Sequence, residues 1–558
     1  MADKQGIAPT EARQAEPEVP PDESAGTEPE AEPVESSKLE SGAEPEERAA
    51  ARSKTEAGCP IAVKFLGPRC CRRLHAAPAG VDEQPVCLMH SKDPSKQSGP
   101  LFDAFWLEFE RILEKAGEGE AHFEKFVFPQ LDFTRRTFKA ICRFDGATFT
   151  QDSDFRGATF TQIAPFRGAT FAQAADFFAV TFTEDADFIG ATFKQNPHFR
   201  ATFTQKAFFS RATFTKNANF FFATFTQDAY FAEATFTLDA NFFGATFKQN
   251  ATFTAATFTQ RPDFERAEFH GTADWRHSRF LDRAEFRHTK FKPKEEGIPS
   301  AIFSLAKFAK PEEVVFDDVD LSRAIFLNCD PSEFWFTSSV RWAKRKGNRG
   351  LKVFEEDILL DPKLAKLQEE YGPIDHGAVE QIYHQLKKNY DARLDYRKAN
   401  DFHFGEMEMR RLEVRTYPKL LKPWGWLRRW LGPEALYRWA SNYGNGYVKP
   451  MLWLLGFLVL FAVLFPIPGL ESGQPSPTPA ENYLSVWNQQ DTWTDNLWTE
   501  AKLVGDSLIA SIDTAAFQRN PEYTPAYPWG RVLAILESLL TSTLFALFLL
   551  AIRRQFRR

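Results

Sequence analysis

Six side chains able to bind a soft metal ion fall between Cys59 and His90: Cys59, Cys70, Cys71, His75, Cys87 and His90, in the segment CPIAVKFLGPRCCRRLHAAPAGVDEQPVCLMH. Thiolate sulfur and imidazole nitrogen are the donors of tetrahedral zinc, and the closing C-x-x-H lets one turn supply two of them. Cys59 with Cys70 or Cys71 supplies the other half. The expectation is a structural zinc held by Cys59, Cys70, Cys87 and His90 in a Cys/His-rich segment, 58–97; the competing reading is a set of free thiols in a loop. Such an ion would staple a segment with little core of its own. No other reactive constellation stands out. There is no P-loop, G-x-S-x-G, H-E-x-x-H or dinucleotide fingerprint, so no enzyme and no catalytic residue is expected.

The elements around this segment are set by phenylalanine, of which the chain has 57 against five methionines. From Phe133 to Phe291 a large apolar residue recurs at alternating steps of five and six, with Trp275 in one position. One step, Phe199 to Phe203, is only four. A helix is excluded, because sites five apart on a helix lie about 130–140° apart and form no stripe. Two residues before most repeat phenylalanines stands an alanine, as at Ala147, Ala158 and Ala169, with Thr, Asp or Asn between. Small-in, polar-out, large-in is a period of two, which is extended backbone with one buried face. Pieces this short must turn after each step and stack on the previous turn.

This pattern resembles the pentapeptide-repeat family, whose centre is Leu or Phe and whose minus-two position is small. The stretch FDDVDLSRAIFLNCD, with Leu321 and Phe326 as centres, is closest to the usual form. The resemblance implies a right-handed quadrilateral β-helix, expected over 121–342. Four sides per coil put stacked residues about 22 apart, making about 7.5 coils between Phe133 and Phe291 at ~4.8 Å per coil. The longer step predicts a bulge at every second corner, with Gly157, Gly168, Gly190 and Gly244 placed there. The missing residue before Ala201 predicts one tightened corner.

Between Asp132 and Phe291 stand 17 acidic and 19 basic residues. That balance fits neither a phosphate-mimicking surface nor a nucleic-acid footprint, so no nucleic-acid partner is expected. Carboxylates such as Asp154 and Asp187 are expected on the solvated outside. Phe178, Phe221 and Phe243 each follow a core position, and Phe208 and Tyr230 each precede one. Pointing outward, they would form an apolar stripe, fit for an interface or for a covering segment of the same chain. The amphipathic sequence LFDAFWLEFERILEKAGEG predicts a helix over 98–120 capping the first coil.

Residues 1–57 are rich in Glu, Pro, Ala and Ser and are expected to be a disordered acidic tail; no secretory leader is expected. Beyond the coil, 343–416 reads as a helical linker, and 417–450 mixes Trp with Lys and Arg as interfacial helices do. The last part, 451–558, carries two apolar stretches, Met451–Ile467 and Val532–Ile552, each long enough to be a transmembrane helix. Six basic residues in 417–450 and four in RRQFRR, against three in the intervening 468–531, place both termini in the cytoplasm and that loop outside, in a cell (inner) membrane.

The whole order, including YHQLKKNYDARLDYRKANDFHFGEMEMRR, YRWASNYG and LFLLAIRRQFRR, resembles bacterial pentapeptide-repeat membrane proteins with a two-span, channel-like C-terminal domain. That resemblance implies a pore loop at GDSLIASIDTAAFQRN, with Ser511, Asp513 and Thr514 as candidate lining residues. SIDTAAF has no glycine, unlike a potassium filter. Glu537 inside a span must face protein or water, a helix–helix hydrogen bond being the simpler role. Two functions are expected to compete. One is a membrane-anchored scaffold presenting its coil to a cytoplasmic protein. The other is an oligomeric ion channel with the coil as sensor. In both, lipid and further copies of the chain are partners.

Overall fold

The computed structural model describes Cys59, 74–413 (apart from 294, 296 and 346–349), 430–468, 470–472, 493–516, 523–525 and 527–555. The expected acidic tail, Cys70, Cys71 and the first part of the interfacial segment lie outside these residues.

Two-residue strands such as Thr148–Phe149 and Ser153–Asp154 stack on their counterparts in the next coil. They form four parallel sheets of nine, ten, eight and eight strands. The repeat region is therefore a four-faced β-solenoid of about ten turns, followed by helices. Register follows the repeat: Phe149 pairs with Phe171, and Phe171 with Phe193. Every repeat phenylalanine from Phe133 to Phe291 points inward and is buried, as are the minus-two alanines. Ring centroids of Phe149 and Phe171 are 4.5 Å apart and 7° from parallel. That separation is close to the spacing of hydrogen-bonded strands, so a flat ring fits each rung without strain.

The polar residue between the two inward positions has two local uses. Where it is Asp or Asn, its carboxylate or amide oxygen accepts the backbone N–H two residues on, as in Asp154 to Arg156 (3.0 Å), Asn241 to Phe243 (2.9 Å) and Asp274 to Arg276 (2.9 Å). This closes the five-residue corners. On the other faces a threonine after the core ring donates its hydroxyl to the coil before, as Thr150 does to Phe128 O (2.9 Å). Asp187 is buried rather than solvated, paired with Arg167 and capping Ile189 N (3.0 Å).

The corners correct the expected placement of glycine. Gly157, Gly168, Gly190 and Gly244 take φ between 63° and 68°, and each lies in the five-residue step. There a two-residue turn puts its second residue in the left-handed region, and the extra residue of the longer step sits in the opposite bend. The four-residue step is a tight corner: Ala201 N bonds Phe199 O at 2.7 Å, spanning two residues where other corners span three.

Both ends of the solenoid are covered. Helix α1 (Pro100–Ala116) lies over the first coil, and Phe109 continues the ring stack onto Phe123 (4.5 Å, 24°) and Phe133 (5.3 Å, 25°). At the other end stand α2 (Phe354–Leu360), α3 (Ala365–Tyr371), α4 (His376–Ala392) and α5 (Tyr396–Leu412). Asn389 Nδ2 donates to the carbonyls of Pro331 (2.9 Å) and Phe334 (2.7 Å), and Trp342 Nε1 donates to Tyr390 Oη at 2.8 Å. The carboxylate of Glu355 accepts Phe326 N–H at 2.5 Å, and its second oxygen has no partner among the described residues.

Burial pushes the Glu355 carboxyl up to about 7. The folded chain therefore holds a proton there that the unfolded chain has released, and the contribution to stability falls as pH rises from the ordinary 4.5 towards 7. Glu355→Gln keeps an acceptor for Phe326 and removes the ionisation. Its thermal midpoint in detergent is expected to exceed that of the parent at pH 8, with the gap closing below pH 5. A gap that does not change with pH would contradict the assignment.

After α5 come α6 (Pro433–Ser441), α7 (Val448–Leu464), α8 (Trp493–Ala515) and α9 (Pro528–Gln555). Among the described residues one segment, Pro528–Arg554 of α9, is long and apolar enough to cross a membrane. The other expected span is apolar but only 17 residues long, ending at Leu464 rather than Ile467. At 1.5 Å per residue it reaches about 25 Å, the short limit for a bilayer core.

Candidate functional site

The Cys/His segment brings together three of the four expected metal ligands. The donor atoms of Cys59, Cys87 and His90 all lie within 4.8 Å of one another, and all three residues are buried. His90 Nδ1 is 3.1 Å from Cys87 Sγ and 3.6 Å from Cys59 Sγ. In a tetrahedral zinc site, bonds of about 2.3 Å to sulfur and 2.0–2.1 Å to nitrogen put the two donors about 3.5 Å apart. His90 Nε2 donates to the carbonyl of Glu124 at 3.2 Å, which fixes the tautomer with the Nδ1 lone pair towards the sulfurs. The donor set and its geometry fit zinc. His75 is not a donor here, because its Nε2 is bonded to Asp93 at 2.8 Å. The Ser95 hydroxyl and then His75 hold the Asp93 carboxyl down to about 2.

Sequence reasoning missed Lys96. Its ammonium is enclosed, donating to the carbonyls of Leu88 (2.8 Å), Ser91 (2.7 Å) and Val127 (2.7 Å). Nothing in KDPSK distinguishes it from an ordinary surface lysine. Its role comes from three carbonyls that only the folded segment brings together.

The five outward aromatics divide between two places. Phe178, Phe221 and Phe243 lie at one corner: the Arg200 guanidinium sits 5.3 Å from the rings of both Phe178 and Phe221, and Phe243 lies under Arg266 at 5.6 Å. Phe222, exposed at the same corner, adds a ring. Phe208 and Tyr230 stack on each other at 5.0 Å in the middle of a different sheet. A single continuous stripe is not formed. No described segment of the chain caps the corner ridge, where Phe178 and Phe222 stay exposed.

Ser511, Asp513 and Thr514 all lie on α8, which packs against α7 and α9. The buried Ser511 hydroxyl lies between Leu458 O (3.1 Å) and the Glu537 carboxyl group. Thr514 bonds back to Ala510 O at 2.7 Å, and Ser538 donates to Thr514 O at 2.9 Å. Carbonyls within a helix are spent on helix bonds, so these residues are not arranged as the carbonyl-lined filter of a potassium pore. Glu537 joins α9 to α8, a helix–helix contact.

Residues 155–202, in the middle of the solenoid, match the family Pentapeptide repeats (9 copies). No curated protein and no solved structure matches the chain.

Proposed function

We propose that the protein is a membrane-anchored scaffold: a rigid pentapeptide-repeat solenoid held at a lipid surface, offering its outer faces to a cytoplasmic protein. The observation behind it is the apolar exterior of α7 and α9. Leu452 and Val459 are 59% exposed, and Ile535 and Leu539 61%, on apolar stretches, 451–464 and 532–552, whose one charged residue is Glu537. Water does not tolerate so large a contiguous apolar surface, and lipid does. Trp439 of α6 and Trp453 near the start of α7 meet at 5.2 Å, tilted by 30°, where headgroups favour indoles. The basic flanks favour cytoplasmic termini, and lipid-facing helices offer a route to homo-oligomers.

The connection is stiff. Glu408 of α5 accepts from Arg438 (3.0 Å) and Tyr443 Oη (2.9 Å), and Arg554 of α9 donates to Tyr443 O at 2.8 Å. Movement of the membrane helices is thereby passed to the helix pair that closes the solenoid.

The full chain expressed in cells is expected to stay with the membrane pellet through an alkaline carbonate wash and to dissolve in detergent. Ile535→Asp with Leu539→Asp is expected to release it with the solenoid intact. Release of the parent chain by carbonate would end the membrane reading. A second reading, an oligomeric channel, draws on the polar cluster of Ser507, Ser511, Thr514, Glu537, Ser538 and Thr541 among α7, α8 and α9. Reproducible current in planar bilayers, abolished by Asp513→Ala, would put it ahead of the scaffold.

A further inference from the structure

We propose that Cys59, Cys87 and His90 hold one zinc-class divalent ion, and that this ion locks in place the segment that substitutes for a missing coil beneath the first turn of the solenoid. The second half of the proposal comes from the backbone. On the sheet that Val127 opens, each strand takes its amide partners from the coil before: Thr148 N bonds Phe126 O, Thr170 N bonds Ala147 O, and Thr192 N bonds Ala169 O, all at 2.8 Å. Val127 occupies the position of Thr148 one coil earlier and pairs with it in register. Among the described residues no coil precedes it, and its N–H bonds Met89 O instead, at 2.8 Å.

Met89 stands between the ligand Cys87 and the ligand His90. The carbonyl of Val127 is taken by Lys96 at 2.7 Å, and Gln130 N by the side chain of Gln97 at 3.0 Å. His90 itself grips Glu124 O through Nε2. Four backbone groups at the open edge are thus satisfied by residues 89–97. This segment has few regular hydrogen bonds of its own, beyond one turn at Cys87–Ser91 and a short 3-10 helix at Pro94–Gln97.

An open edge of a parallel sheet is a template for pairing with another chain. The segment covering it has no apolar core of its own: Val86, Cys87 and Met89 join the core of the solenoid, and His90 meets Phe126 edge-on at 5.1 Å. A metal bond at Nδ1 fixes the imidazole whose other nitrogen holds Glu124, so ion binding and edge closure become one event. A set of S–H to nitrogen hydrogen bonds would leave the same three residues far less constrained, because a thiol is a weak donor.

The test uses the full chain in detergent. Purified parent protein is expected to contain about one zinc per chain by plasma emission spectrometry, and Cys87→Ser none above background. Cobalt introduced in place of zinc is expected to give the intense visible bands and sulfur-to-cobalt charge transfer of a tetrahedral thiolate site. Chelation is expected to raise amide exchange in peptides covering 120–130 and to leave those covering 205–250 unchanged. Parent protein purified without zinc, or cobalt spectra of an octahedral oxygen site, would overturn the metal centre. So would normal zinc content in both Cys87→Ser and His90→Gln. Zinc lost on chelation with exchange at 120–130 unchanged would overturn the lock. Should Cys87→Ser fail to accumulate, the chelated parent still decides between these outcomes.

Discussion

Phe209→Ala is expected to destabilise the coils around it by about 3–5 kcal/mol, the range for emptying a fully packed aromatic site. The ring is sandwiched between Phe188 and Phe231, each 5.0 Å away and 4° from parallel. It also meets Phe199 (5.1 Å) and Phe220 (5.3 Å) edge-on, from a second column, and Phe203 (5.8 Å) from a third. The cavity cannot collapse, because every neighbour is held in its own column and each rung is fixed by backbone bonds to the rungs above and below. In a stack of repeats that touch only their neighbours, the loss stays local and weakens the interfaces on both sides. Native-state hydrogen exchange is the direct measure: amides from about 186 to 237 should open more readily, and those near 140 and 320 should not. Phe178→Ala, the same truncation at an exposed corner, should cost under about 1 kcal/mol, chiefly its cation–π contact with Arg200. Equal costs at the two sites would mean that the inner columns do not hold the solenoid together.

That contrast shows which parts of the structure were legible. The inner columns could be read because one side chain repeats with a period that only a stacked coil explains, and even the shortened corner before Ala201 left a trace in the spacing. The phase of the corners could not be read from the phenylalanines. Steps of five and six each leave room for glycine, and the left-handed position is also filled by Arg135, Phe222 and Arg266, all with positive φ. The aromatic stripe failed for an arithmetical reason. Phe178 and Phe208 are 30 residues apart, one coil and a fraction, so they share no corner. At the cluster of Cys59, Cys87 and His90 the C-x-x-H pair was visible as spacing. Lys96 was not, because its partners are carbonyls, which carry no residue type. The helix over the first coil was legible from its amphipathic sequence, whereas the cap at the other end joins residues about 50 apart with no repeat to align them, as with Trp342 and Tyr390. The apolar composition of α7 was legible. Its bounds were not: the helix is the expected 17 residues long but runs three residues earlier, from Val448 to Leu464.

Where the solenoid hands over to the helices, Glu356→Ala is expected to cost about 3–5 kcal/mol, because it leaves the buried guanidinium of Arg345 without its counter-charge. Both side chains are about nine-tenths buried. Arg345 bonds Glu356, the carbonyl of Leu351 (2.7 Å) and Tyr383 Oη (2.7 Å). Tyr383 in turn donates to Glu356 at 2.5 Å and accepts Val353 N–H at 3.1 Å. The ring of Tyr383 packs so closely on Gly405 that an added Cβ there would come within 2.5 Å of it. One carboxylate thus orients the arginine and the tyrosine on which α4 and α5 are pinned together. Its removal should free that helix pair while leaving the phenylalanine columns intact. Limited proteolysis of the full chain in detergent should then cut between 343 and 412 and release an intact solenoid. Arg345→Met combined with Glu356→Leu should recover most of the loss, since a packed apolar pair replaces a buried ion pair at little cost. Opening that begins in the coils, or a double variant no better than the single, would show that the junction is held by something other than this ion pair. If the junction loosens as expected, the apolar helices α7 and α9 and the solenoid would still fold, but the path between them through Glu408, Tyr443 and Arg554 would end in a helix pair no longer fixed to the coil it closes.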